Sequence, residues 1–111
     1  MAVRTIIFRG KRIDNGEWVC GFIVKMFGTY HIIDKDDENT AYEVIPSTVG
    51  QYVGLKDKNG KRIFENGYMI IDKQTYKVLF DNGEYILKNI FNCDIMQLKN
   101  NSNIGVFVDE I

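Results

Sequence analysis

Four Asn-Gly dipeptides, Asn15-Gly16, Asn59-Gly60, Asn66-Gly67 and Asn82-Gly83, are spread along a chain of 111 residues. Asparagine and glycine both tolerate positive φ, which type I′ turns demand at both central positions. Each pair therefore marks a point where one strand can fold back on the next. The apolar residues between these points carry the same bias, with 15 Ile and 9 Val against 4 Leu and 2 Ala. Branching at Cβ stiffens χ1 and suits a pleated surface, whereas Leu and Ala are residues that helices favour. The chain is expected to be all-β, built from short antiparallel strands with tight Asn-Gly hairpins.

Hydrophobic alternation places the strands. Residues 5–9 and 17–25 flank the first Asn-Gly, and Trp18, Cys20, Phe22 and Val24 share one face of the second run. Residues 29–33 and 42–45 flank the polar segment Asp34-Lys35-Asp36-Asp37-Glu38-Asn39. Pro46 ends that strand, Ser47 is placed to cap a single helical turn, and 51–53 reads as another short strand. Residues 68–72, 75–80, 84–88, 92–99 and 105–108 read as five further strands at close spacing. That spacing fits a small barrel-like, SH3-like C-terminal half, with an open sandwich as the alternative. Residues 88–99 also fit a helix with Ile90, Phe91, Ile95 and Leu98 on one face. No linker rich in Pro, Gly or Ser interrupts the chain. A single domain over 1–111 is expected, with an N-terminal β lobe at about 1–54 and the small barrel at about 55–111 packed on it.

Hydrophobic residues make up 45% of the chain and charged residues 26%, enough to bury a core without metal or disulfide staples. The 14 basic and 15 acidic residues leave a net charge of −1. That balance disfavours duplex DNA as the main partner, because neutralising phosphates supplies most of such affinity. No apolar run reaches the roughly 20 residues that span a bilayer, and the N-terminal stretch 1–9 is too short and too charged for a signal peptide. A soluble, cytoplasmic protein with no membrane partner is expected. In that compartment Cys20 and Cys93, far apart and without metal-ligand spacing, are expected to be free, structural thiols.

The groups that could carry chemistry have simpler readings. His31, the only histidine, lies between Tyr30 and Ile32 in a strand and lacks a recognisable nucleophile setting. Asp34, Asp36 and Glu38 have the spacing of a calcium loop, but Asn39 and Ile45 stand where its glycine and bidentate glutamate belong. A solvated hairpin tip fits that run better. Gly50 and Gly54 flank Gln51-Tyr52-Val53 without the following helix of a phosphate loop, so they read as a strand bend. No catalytic, cofactor-binding or metal-ligating residue is assigned.

One block has the length of a signature: Glu43-Val44-Ile45-Pro46-Ser47-Thr48-Val49-Gly50-Gln51-Tyr52-Val53-Gly54-Leu55-Lys56-Asp57-Lys58-Asn59-Gly60-Lys61, followed by Ile63-Phe64-Glu65. With Phe8-Arg9-Gly10, Trp18, Val78-Leu79-Phe80 and Asn82-Gly83 in register, it resembles the YopX-like family of phage and prophage proteins. Where that family continues Gly-Asp-Ile-Val, this chain has Asn66-Gly67-Tyr68-Met69. The resemblance implies a phage or prophage origin, the cytoplasm of a bacterial host, an all-β fold and self-association. It implies no catalytic residue.

The expected interaction surface is the loop bearing Lys56, Lys58, Lys61 and Arg62, beside Tyr52, Phe64 and Tyr68. Basic side chains interleaved with aromatics can track a single-stranded backbone and stack its bases, although Asp57 and Glu65 dilute the potential here. The first functional reading is a non-enzymatic protein-interaction module that binds a host or phage protein or its own copies through a β surface. The alternative is a small β-barrel binding RNA or single-stranded DNA through this loop.

Overall fold

The computed structural model describes residues 5–110; residues 1–4, part of the stretch weighed above as a signal peptide, and Ile111 lie outside the described residues. The chain is all-β. Apart from single 3-10 turns at Pro46–Thr48 and Ser102–Ile104, its regular structure among the described residues is strand. The strands are β1 (Phe8–Lys11), β2 (Trp18–Met26), β3 (Thr29–Asp34), β4 (Ala41–Glu43), β5 (Gly50–Lys56) and β6 (Arg62–Phe64). They continue with β7 (Tyr68–Ile71), β8 (Gln74–Asp81), β9 (Glu84–Asn89), β10 (Ile95–Gln97) and β11 (Val106–Val108). Two antiparallel sheets result, in the orders β4-β3-β2-β1-β5-β6 and β10-β9-β8-β7-β11. The chain divides into two compact units between Tyr52 and Val53, within β5.

In the N-terminal unit Val19, Ile32 and Val44 form a buried cluster, with Phe8, Ile23, Tyr42 and Val49 packed on it. The Trp18, Cys20, Phe22, Val24 face of β2 is therefore the outer one, and the core residues Val19 and Ile23 alternate with it. A bridge between Arg12 and Val44, with Ile13 N–H donating to the Glu43 carbonyl and Ile45 N–H to that of Lys11, curls this sheet without making it a barrel. The 3-10 turn after Pro46 forms where a helical turn was expected, but Ser47 does not cap it. Ile45 holds the N-cap position, and the Thr48 hydroxyl donates to its carbonyl at 2.6 Å while accepting from Lys11 N–H at 2.9 Å.

In the C-terminal unit Met69, Ile71, Val78, Leu87 and Phe107 are buried, and the register places them on one face of β7, β8, β9 and β11. The expected barrel-like, SH3-like half is corrected to an open five-stranded sheet. Closure needs the two outermost strands to pair with each other. Here those strands are β10 and β11, three residues each, and β11 docks beside β7 instead. The helix considered over 88–99 does not form either. The Asn89 side-chain oxygen accepts the N–H groups of Phe91 and Asn92, and Cys93 takes a φ of +64°, so the chain turns back within a few residues and β10 pairs with β9.

The four Asn-Gly pairs serve different turns. Only Asn82-Gly83 is a two-residue loop with both φ values positive, +50° and +82°. At Asn66-Gly67, Asn66 N–H donates to the Val78 carbonyl and Val78 N–H to the Gly67 carbonyl, so two residues face one in a β-bulge. Two other hairpins use the positive-φ geometry without the dipeptide: Asp72-Lys73, at +50° and +66°, and Phe27-Gly28, at +52° and +83°. Phe27 is the anomaly, because a bulky side chain in the left-handed region costs free energy and this one is 103% exposed. Phe27→Asn is expected to raise stability by about 1 kcal/mol, read as a higher urea midpoint at unchanged slope.

Candidate functional site

The expected interaction loop is built around a carboxylate rather than around its lysines. Asp57 follows β5 and is only 6% exposed. Its Oδ1 accepts the N–H groups of Asn59 at 2.9 Å and Lys61 at 2.8 Å, which fixes the turn to β6. Its Oδ2 accepts Phe107 N–H at 2.8 Å, tying the turn to β11. Burial alone pushes this carboxyl up. The backbone donors of Phe107, Lys61 and Asn59, with the charge of Lys61, outweigh that and hold it below its ordinary value of 3.8. The residue first read as diluting a basic patch organises the loop that carries the patch.

The named surface residues do not form one exposed patch. Tyr52 and Phe64 are buried, at 8% and 6% exposure, so neither offers a ring for stacking. Lys56, Lys58 and Lys61 are exposed, while Arg62 and Tyr68 are half-buried. The Lys61 ammonium lies 3.8 Å from an Asp109 carboxylate oxygen and 5.5 Å from the centre of the Phe107 ring. What remains for a partner is Lys56 at the end of β5 and Lys58 in the turn, both exposed, with Lys61 partly engaged by Asp109.

The other candidates keep local roles. His31 stands mid-strand, opposite Val24 on β2 and Glu43 on β4. In the acidic run, Asp34 Oδ1 accepts Asp36 N–H, and Asp37 accepts Asn39 N–H and the Thr40 hydroxyl, the last of which draws the Asp37 carboxyl down. These carboxylates shape a hairpin, and no group of three or more metal-ligating side chains gathers among the described residues. Gly54 takes a φ of +89° in β5, as a strand bend requires, whereas Gly50 pairs regularly with Arg9. Cys20 and Cys93 are free thiols, but Cys93 is exposed, so burial does not account for it.

Two arrangements lie outside the expected site. On the N-terminal sheet the Arg9 guanidinium sits 3.9 Å from the Trp18 ring centre, and that of Arg12 4.0 Å from Tyr42. Arg12 also grips Asp14 through two bonds of 2.9 and 2.6 Å, which lowers the pKa of that carboxyl. On the C-terminal sheet Lys77 and Lys88 are direct cross-strand partners. With Leu79, Asn89, Ile90 and Cys93 they line a shallow depression of about 370 Å³. The sequence carried a signal for this pair. Once Asn82-Gly83 is the two-residue turn, counting outward along both strands brings Lys77 opposite Lys88.

The molecule is thus a small all-β protein of two open sheets, with exposed apolar hairpin and loop residues and lysines on its strands. Among the described residues no helix is long and apolar enough to cross a membrane. The chain belongs to the YopX protein family, whose model matches residues 8–105. No curated protein matches it.

Proposed function

We propose that this chain is a non-enzymatic interaction module, encoded by a phage or prophage and acting in the cytoplasm of a bacterial host, where it binds a host or phage protein or a second copy of itself. The observation that carries this reading is Phe27. Its ring is fully exposed at the tip of the β2–β3 hairpin, on a backbone with φ of +52° that disfavours a bulky side chain. Neither feature helps the chain fold. An exposed aromatic on a two-residue turn is suited to insertion into a pocket of a partner, where aromatic anchors supply much of the binding energy. Phe91, 86% exposed in the turn before β10, is a second such ring.

The test is affinity purification of the tagged full chain from host lysate, with and without nuclease, beside the Phe27→Asn variant. The expected result is a protein that survives nuclease and is lost from the variant, although the variant is the more stable fold. Retention of nothing beyond the tag control would overturn the reading. Recovery that collapses on nuclease treatment would instead favour single-stranded nucleic acid at Lys56, Lys58 and Lys61. With Tyr52 and Phe64 buried, that contact would rest on charge and fall steeply with salt.

A further inference from the structure

We infer that the face of the C-terminal sheet bearing Lys77 and Lys88 is a docking surface for an acidic, apolar segment of a partner protein, an inference that rests on the interaction-module reading above. The register lays out one row across the sheet: Val108, Tyr68, Lys77, Lys88 and Ile95, from β11, β7, β8, β9 and β10 in turn. Side chains two residues along a strand share its face. Leu79, half-buried, and Ile86, buried at 7% exposure, therefore lie beside the lysines on one side, and Thr75 on the other. Ile70 and Ile95 are exposed on this face, so it is apolar as well as charged. Its centre is a pair of like charges placed directly opposite each other, an arrangement that destabilises a sheet.

No ion pair among the described residues neutralises those two charges, and none of their carboxylates lies within ion-pair distance of either ammonium. The Lys77 ammonium lies 6.0 Å from the centre of the Tyr68 ring. Asp81 and Glu84 share the face as a cross-strand pair but stand four residues from Lys77 and Lys88 along β8 and β9, about 13 Å away at strand rise. A carboxylate seated in the depression would meet both ammonium groups and remove their repulsion. The aliphatic side chains around it would cover apolar residues next to that carboxylate. Charge complementarity therefore selects an acidic segment, and the aliphatic frame selects one with apolar neighbours. Nucleic acid fits less well, since two lysines among Leu, Ile and Val provide neither a phosphate track nor a stacking platform.

The test titrates the isotope-labelled full chain with an end-blocked Leu-Glu-Val-Glu-Leu peptide and with its glutamine analogue, followed by amide NMR. The glutamate peptide is expected to bind about tenfold more tightly than the analogue, the combined effect of two modest exposed charge contacts, with shifts centred on β8 and β9. The double variant Lys77→Gln, Lys88→Gln should lose that preference while melting no lower than the parent, because the like-charge pair is gone. Its capture of the lysate partner should fall as well. Equal affinity for the two peptides, absence of binding, or a preference that persists in the double variant would overturn the assignment. Undiminished lysate capture by the double variant, still abolished by Phe27→Asn, would also overturn it while leaving the interaction-module reading standing. A single-stranded oligonucleotide that displaces the peptide at lower concentration would overturn it in favour of a nucleic-acid ligand.

Discussion

Asp57→Ala is expected to lower the stability of the chain by about 3 kcal/mol, seen as a fall in melting temperature of about 15 °C. The substitution removes the acceptor of three backbone N–H groups, those of Asn59, Lys61 and Phe107. The first two can turn to water at an exposed hairpin tip. Phe107 N–H cannot do so as readily, because Phe107 is itself buried. Asp57→Asn separates the two halves of the effect. Its single oxygen can keep the contacts to Asn59 and Lys61 but then presents an amide N–H to that of Phe107, so a loss of about 2 kcal/mol is expected. The acid response provides an independent check. A carboxyl held below its ordinary value of 3.8 contributes stability that is fully present above that pH and is lost as pH falls through the lower, folded value. Urea midpoints measured below about pH 4 should therefore drop more steeply for the parent than for Asp57→Asn. Parallel acid profiles, or a loss under 1 kcal/mol for the alanine variant, would show that Asp57 does not organise this turn.

Gly21→Ala should be at least as damaging, for a steric reason. Gly21 is in β2, paired with Phe8 of β1 on one side and Asp34 of β3 on the other. A Cβ built there would lie 1.8 Å from the Ile33 carbonyl oxygen and 2.9 Å from the Lys35 nitrogen. Both are backbone atoms, of β3 and of the residue just past its end, so no side-chain rotation relieves the overlap. The β2–β3 pairing must open instead, at about 3 kcal/mol or more, the upper range for overpacking. A denaturant titration within 1 kcal/mol of the parent would contradict this. The glycine is required by contact rather than by φ, which is why no turn signal marks it in the sequence.

The strands and the all-β class were legible because large apolar residues recur with a period of two, as at Tyr76, Val78 and Phe80 along β8 and at Tyr85 and Leu87 along β9. β6 was not. It is three residues, Arg62–Phe64, and follows a turn whose apparent signal was its lysines. Asp57 was misjudged for the same cause, since formal charge cannot separate a solvated carboxylate from one satisfied by distant backbone. Its third donor, Phe107, is 50 residues away. Tyr52 and Phe64 were placed on the surface because they neighbour lysines in the chain. Pleating, however, turns adjacent residues to opposite faces. Asn-Gly predicted turns correctly but not their type, because Asp72-Lys73 and Phe27-Gly28 reach the same backbone geometry without it. The Lys77–Lys88 pair could have been read from register alone; chain order by itself, with the two lysines eleven positions apart, does not show it.

The bond from Phe107 to Asp57 also bears on how this molecule matures. A ribosome releases the 57–61 turn long before β11, so for the interval of synthesis that separates them the aspartate lacks its last donor and β7 lacks its outer neighbour. Until β11 arrives, β7 exposes an unpaired edge and the aspartate must stay hydrated. β11 is thus a bolt that reaches its latch only after β7 to β10 have been made, and until it does the edge of β7 is open to the wrong strand.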